Sequence, residues 1–280
     1  MKISGAVAFS DDHRPVMDAG LMHRALLYVK SFGGLILSRC IDNTISPGIF
    51  VNEGSASILM GIKGEPGISE EIMVMRDIFL VRHTEARLHI HSISTAGSVE
   101  LIKNAKKEGI KVTTSVNAYN LAMDESELLE FDSFCKVNPP LRSKEDIKAM
   151  KKPLADDIID VICSDHRPED EENKKLEFDL ASPGMIGIQT LYPLVNMYSG
   201  LSTVQIIEKI ALAPRRILSL EIPSIQEGEL ANLTLFSPKI EWKLKEKEIK
   251  SLSKNTPLIG KKLIGKAVGI INNGQLKIND

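Results

Sequence analysis

The stretch Asp160-Val-Ile-Cys-Ser-Asp-His-Arg-Pro-Glu-Asp170 runs from apolar β-formers straight into a carboxylate and an imidazole. Side chains of those two types, adjacent at a strand end, are the ones that hold a metal ion or move a proton near neutral pH. Val161 and Ile162 lie in a run too short and too tightly bounded by polar residues for a helix, which predicts a buried strand. The carboxyl ends of strands in parallel α/β architectures are where sites form, so Asp165 is the first candidate. An aspartate after a strand also serves as the N-cap of the next element, and the stretch by itself leaves both roles open.

The rest of the chain supplies elements that could position such a residue. Gly5 to Phe9, Leu35 to Ser38, Leu88 to Ser94 and Lys111 to Val116 read as further strands, and helical patterns lie between them. Leu21, Ala25, Leu26 and Val29 recur at helical spacing. Ser69 with Glu70 and Glu71 opens another helix, whose Ile72, Met75 and Phe79 are expected to face inward. Val99, Ile102 and Ala105 share a third face, closed by Gly109. Asp124 to Phe131 reads as a short helix, and Ser143 with Asp146 starts the helix before the Asp165 strand. Ser202-x-x-Gln205 caps one more, which Pro214 is expected to end. The paired prolines of Val137 to Arg142 exclude regular structure. A loop from about Asn43 to Gly67 is of a length that is usually either functional or disordered.

After about Leu220 the chain turns β-rich, with strands at Asn232 to Ser237 and Ala267 to Ile271 and a hairpin signal at Asn273-Gly274. Five strand-then-helix units followed by a β tail predict α/β with a parallel sheet, divided here as 1–219 and 220–280. No Gly-x-Gly-x-x-Gly follows any strand, which removes support for a dinucleotide fold.

At 280 residues, 43% hydrophobic and 26% charged, the chain can bury a sizeable core. A net charge of −2 without a basic, aromatic-interleaved run argues against nucleic acid. Cys40, Cys135 and Cys163 have no Cys-x-x-Cys spacing and read as reduced thiols. No apolar run reaches the ~18 residues of a membrane span, and Met1 to Phe9 lacks a signal-peptide pattern, so a cytoplasmic location is expected.

Five stretches then combine. Gly5-Ala-Val-Ala-Phe-Ser-Asp-Asp12, Ser94-Thr-Ala-Gly-Ser-Val-Glu100, Lys136-Val-Asn-Pro-Pro-Leu-Arg142, Ser164-Asp-His-Arg-Pro168 and Asn255-Thr-Pro257 occur in the order and at roughly the spacing seen in dihydroorotases of the amidohydrolase superfamily. The chain resembles that family over nearly its whole length. The resemblance implies a (β/α)8 TIM-type barrel with a binuclear zinc site at the strand C-termini, a small β-domain, and reversible hydrolysis of dihydroorotate to carbamoyl aspartate. It also implies that only strands four to eight are present, an N-terminally truncated or split barrel.

Residue by residue, the resemblance implies a damaged metal site. The family's first His-x-His pair has no counterpart. Asp12 matches the acidic ligand after strand four, and Asp165 the ligand and general base after strand eight. The histidines after strands five and six are replaced by Arg39 and Ser92, and a His-His pair after strand seven by Tyr119-Asn120. Asn138, Glu169, Pro183 and Gly184 fall at substrate-binding positions, Glu169 in place of a histidine. His91, beside Ser92, should point away from the barrel mouth because side chains alternate along a strand. Arg39, always protonated, would repel a cation and is expected to pair with Asp12 or Asp165.

Zinc binding is therefore expected to be weak or absent. The implied role is a catalytically impaired, non-catalytic subunit in pyrimidine biosynthesis, partnered by aspartate carbamoyltransferase or by a chain that completes the barrel. The alternative is an active zinc-dependent cyclic amidohydrolase whose missing ligands come from that second chain.

Overall fold

The computed structural model describes residues 1–12, 14–45 and 47–279. Its elements in chain order are α1 (Ala19–Lys30), β1 (Leu35–Arg39), α2 (Ser55–Met60), α3 (Ile68–Thr84), β2 (Arg87–His91), α4 (Ala96–Lys107), β3 (Val112–Asn117), α5 (Ala118–Ala122), α6 (Lys144–Ala155), β4 (Val161–Cys163), α7 (Glu171–Lys174), α8 (Leu191–Tyr198), α9 (Thr203–Ile207), α10 (Ala213–Ile217), β5 (Leu233–Lys243), β6 (Lys262–Asn272) and β7 (Gln275–Ile278). Strands β1 to β4 form a parallel sheet in sequence order, and β5 to β7 form a separate antiparallel sheet. A fifth parallel position beside β1 is held by Phe9 alone: its N–H donates to the Leu35 carbonyl at 3.0 Å, and Leu37 N–H donates back to the Phe9 carbonyl at 2.8 Å. The result is part of a (β/α)8 barrel with a β-rich C-terminal segment. None of the described helices is long and apolar enough to cross a membrane.

Alternation along the strands sorts two faces. Ile36, Leu88, Ile90, Val112, Val116 and Ile162 belong to one buried core with Val74, Ile78, Val81, Val99 and Ile102 of α3 and α4. The other face carries Leu37, Arg39, His89, His91, Thr113, Ser115 and Asn117, and on this inner face His89 Nδ1 lies 2.9 Å from Thr113 Oγ1 and His91 Nδ1 3.1 Å from Ser115 Oγ. Hydrophobicity thus builds the helix-facing side, and hydrogen bonds between neighbouring strands build the barrel interior.

Helix α3 docks through the face opposite to the one expected. Ile72, Met75 and Phe79 are exposed, Phe79 by 56%, while Glu70, Met73, Val74, Asp77, Ile78 and Val81 are buried. The buried acids explain the inversion. Glu70 accepts from the Ser94 and Thr95 backbone N–H groups at 2.9–3.2 Å, and Asp77 accepts from Ser38 Oγ at 2.6 Å while pairing with Arg76 at 2.7 Å. Each carboxylate satisfies groups that burial would otherwise leave without partners.

Other terminators behave as their chemistry requires. Ser143 and Ser202 cap α6 and α9, the latter in a full capping box. Pro214 does not end a helix; it sits in the first turn of α10, where a missing N–H costs nothing. Asp124 to Phe131 contains only a 3-10 turn, Glu125–Leu128. Asn273 and Gly274, at φ 49 and 71, make the β6–β7 hairpin turn.

Candidate functional site

The C-terminal ends of the parallel strands gather Arg39, Ser92, Asn117, Tyr119 and Asp165. Strand β2 stops at His91, and Ser92 adopts a left-handed φ of 58. That break cancels the alternation expected for this pair. His91 stays on the inner face, in register with Arg39, and Ser92 also turns inward, its Oγ donating to Asn117 Oδ1 at 2.6 Å. Cys163 Sγ reaches the same amide oxygen at 3.0 Å. Burial and the neighbouring Asp165 carboxylate push the Cys163 thiol up to about 11, so it remains a thiol.

Asp165 follows β4 with φ 40. The Tyr119 phenol donates to its Oδ2, and Asn117 Nδ2 approaches the same oxygen at 3.4 Å while lying 2.8 Å from the phenol oxygen. Burial, and then the Asp165 charge, hold the phenol well above its ordinary value, which keeps it a donor. The Tyr119 phenol and the Asn117 amide therefore cover one oxygen of the Asp165 carboxylate.

Arg39 does not pair with Asp165, and no ion pair joins it to a carboxylate among the described residues. Its Nη2 donates to the Asn138 carbonyl, and its Nε is buried without a partner. Asp12, at φ 54, lines a cavity of about 740 Å³ together with Arg39. Among the described residues no group of three or more His, Cys, Asp or Glu is arranged to hold a metal ion.

The substrate-position residues divide. Asn138 precedes a cis Pro139, and its Oδ1 is buried without a hydrogen bond. Glu169 pairs with Arg167 at 3.0 Å instead of facing an open site. Gly184, at φ 150, donates its N–H to the Lys136 carbonyl at 2.9 Å, and a Cβ there would meet Arg167 at 2.9 Å. Pro183 precedes it in the same loop. Asn255 ties this loop to the Asp165 loop, with Nδ2 donating to the Arg167 carbonyl at 2.9 Å and the Gly184 carbonyl at 3.0 Å. His166 Nδ1 accepts from Gly187 N–H at 3.1 Å, and burial lowers its pKa.

Asn117 and Cys163 were not legible as site residues. The available signal was alternation: Thr113, Ser115 and Asn117 place a third polar side chain on the face that ends at Asp165.

A half-open parallel barrel with its polar cluster at the strand C-termini defines the class, and the Amidohydrolase family model matches residues 44–268. The chain belongs to that family. Among the relatives it is similar to are the dihydroorotases of Pelotomaculum thermopropionicum, 41% identical over 100% of this chain and 66% of that protein, and of Acetivibrio thermocellus, 38% identical over 100% and 67%. The solved L-hydantoinase (dihydropyrimidinase) of Arthrobacter aurescens superposes with a TM-score of 0.87 at 21% identity, covering 100% of this chain and 67% of that one. Within the family the chain is dihydroorotase-like, and it spans about two thirds of the length of these curated relatives.

The family implies a metal, generally zinc. The residues present here do not fit one: a guanidinium stands at one expected ligand position, a hydroxyl bonded to an amide at another, and the retained Asp165 is occupied by a phenol.

Proposed function

We propose that this chain is a dihydroorotase-like component of pyrimidine biosynthesis that has exchanged the metal centre for a hydrogen-bonded polar cluster and serves as a non-catalytic subunit. The observation that carries the reading is the Tyr119 phenol donating to Asp165, with Arg39 on the same barrel mouth. Hydrolysis of a ring amide in this family depends on a metal-activated water, and a site with a buried fixed cation and a hydrogen-bonded carboxylate offers it no seat. The residues retained from the family, Asp12, Asn138, Asp165 and Asn255, then act structurally, Asn255 most plainly because it bridges two loops. The proposed partner is aspartate carbamoyltransferase, and the site of action the cytoplasm.

The open side of the sheet favours one second reading. Phe9 has a strand neighbour on one side only among the described residues, and the cavity next to it is lined by Met22, Val29, Phe32, Ile36 and Leu37. A polypeptide that adds strands there would cover these groups and could bring histidines, restoring an active zinc-dependent amidohydrolase. Measuring dihydroorotate turnover and bound zinc, first for the chain alone and then with candidate completing segments, separates the two. Silence in every mixture supports the non-catalytic subunit, and turnover in any of them overturns it.

A further inference from the structure

Lys136 and Lys174 are 4% and 0% exposed, yet neither forms an ion pair among the described residues. Lys174 Nζ donates to the Ser182 carbonyl at 2.8 Å and, at a longer 3.5 Å, to the Lys136 carbonyl. Lys136 Nζ donates to the Phe178 and Asp179 carbonyls at 2.7 and 3.0 Å. Phe178, Asp179 and Ser182 all belong to the segment that runs from α7 to Gly184. The same segment returns the contact, with Ser182 N–H donating to the Asn173 carbonyl and Gly184 N–H to the Lys136 carbonyl, both at 2.9 Å. Residues 171–184 thus wrap two amines that have only backbone carbonyls as acceptors.

An ammonium carries three N–H groups, and each of these finds only two acceptors. A neutral amine carries two, so the surroundings satisfy the uncharged form equally well and relieve the cost of burying a charge. Glu169, Lys136, Asp132 and Cys135 face Lys174, and Asp179 faces Lys136. The acids among them do not offset burial, which lowers Lys136 and brings Lys174 down to about 8. Lys136 Nζ lies 5.2 Å from the Phe178 ring centroid and 5.7 Å from that of Phe50, contacts that favour its charged form, so Lys174 carries the larger effect.

We propose that residues 171–184 form a strap that closes by stripping water from Lys136 and Lys174, and that protons bound to these amines loosen it. When the strap lifts, both amines regain water and an ordinary affinity for protons; when it seats, Lys174 gives its proton up more readily. Closure is therefore favoured most above the solvated lysine value of ~10.4, and that preference is lost as pH falls toward about 8. The strap carries Pro183 and Gly184, so proton uptake frees the loop that the family resemblance sets against a substrate. The device does not depend on whether the site holds zinc.

The test is hydrogen exchange of the full chain, normalised to the chemical exchange rate and read where each isotope envelope stays single. The Ser182 and Gly184 amides report the strap, and the buried α4 residues Val99, Ile102 and Ala105 serve as the internal standard. Between about pH 7.5 and pH 9.5 the opening constant of the strap should fall about twentyfold relative to the standard, as values of 10.5 in water and about 8 in the closed strap require for Lys174. Lys174→Arg, whose charge does not titrate in this range, and Lys174→Met, which has none, should each lose most of that fall. A lysine that ties the carbonyls only in its charged form would instead give opening that rises with pH. Opening that is constant or rises with pH in the wild type overturns the proposal without needing either variant to fold. A fall that persists undiminished in both variants belongs to another group and overturns it as well.

Discussion

Protonating His89 should destabilise the fold in a predictable window. The ring lies on the inner face of β2, 2.9 Å from Thr113 Oγ1, with its neighbour His91 at a ring-centroid distance of 6.4 Å. Burial, then the charges of His91 and Lys106, lower it from 6.5 to about 3. A histidine depressed on folding binds fewer protons in the native state than in the unfolded chain, so its stabilising effect is whole above the unfolded value and is lost as pH falls toward the folded one. For values of 6.5 and about 3, the loss between roughly pH 7 and pH 5 is about 2 kcal/mol. Urea unfolding of the wild type and of His89→Gln at both pH values measures it. The variant should lose about 2 kcal/mol less than the wild type over that interval, whatever its stability at neutral pH. An identical loss in the two proteins would show that the ring is either solvated or already charged, and the description of the barrel interior would be wrong.

Three further outcomes follow from buried groups. Arg142, 2.9 Å from Glu65 and also bonded to Ser94 and Asn52, is a buried ion pair, so Arg142→Met should cost about 3–5 kcal/mol in urea unfolding at neutral pH. Burial already raises the Glu65 pKa, so acidification favours the native state at this residue, and the Arg142→Met deficit should shrink as pH falls. Tyr119→Phe removes the main donor to Asp165 and should destabilise by about 1–3 kcal/mol, read as a shift in urea midpoint with an unchanged slope. Gly187→Ala would set a Cβ 2.1 Å from the Ser164 carbonyl oxygen, a backbone atom that cannot swing away, and should lower the melting temperature measurably, whereas Gly48→Ala, strained only in φ, should lower it less.

Much of this architecture is visible in the chain itself because its causes are local. Val161 and Ile162, the Ser143 and Ser202 caps and the Asn273-Gly274 turn each act within a few residues, and each forms as expected. The five collinear motifs carry the family. What local reasoning misses is polar packing between distant elements. Asp77 and Glu70 look like a solvent face of α3 until β1 and the Ser94 loop are placed against them, and only then does the apolar stripe of Ile72, Met75 and Phe79 turn outward. His91 was expected to point away because alternation assumes a continuous strand, and Ser92 breaks it with a left-handed backbone. Arg39 was expected to meet Asp12 or Asp165; it forms no ion pair among the described residues, and the Asp165 carboxylate is claimed by Tyr119, a residue 46 positions away along the chain whose phenol reaches the site only in the folded barrel.

The reading of the site turns on whether Asp165 can bind metal. Losing even a group that only orients a metal ligand costs such sites about 10- to 100-fold in affinity or activity, and Arg39 and Ser92 stand where the family resemblance implies histidine ligands. The most direct measurement is the zinc content of the purified chain after dialysis against zinc, determined beside dihydroorotate turnover for the wild type and for Asp165→Ala. The account predicts well under one equivalent of zinc, no turnover above background, and no difference between the two proteins. Two tightly held zinc ions with turnover that vanishes in Asp165→Ala would contradict it.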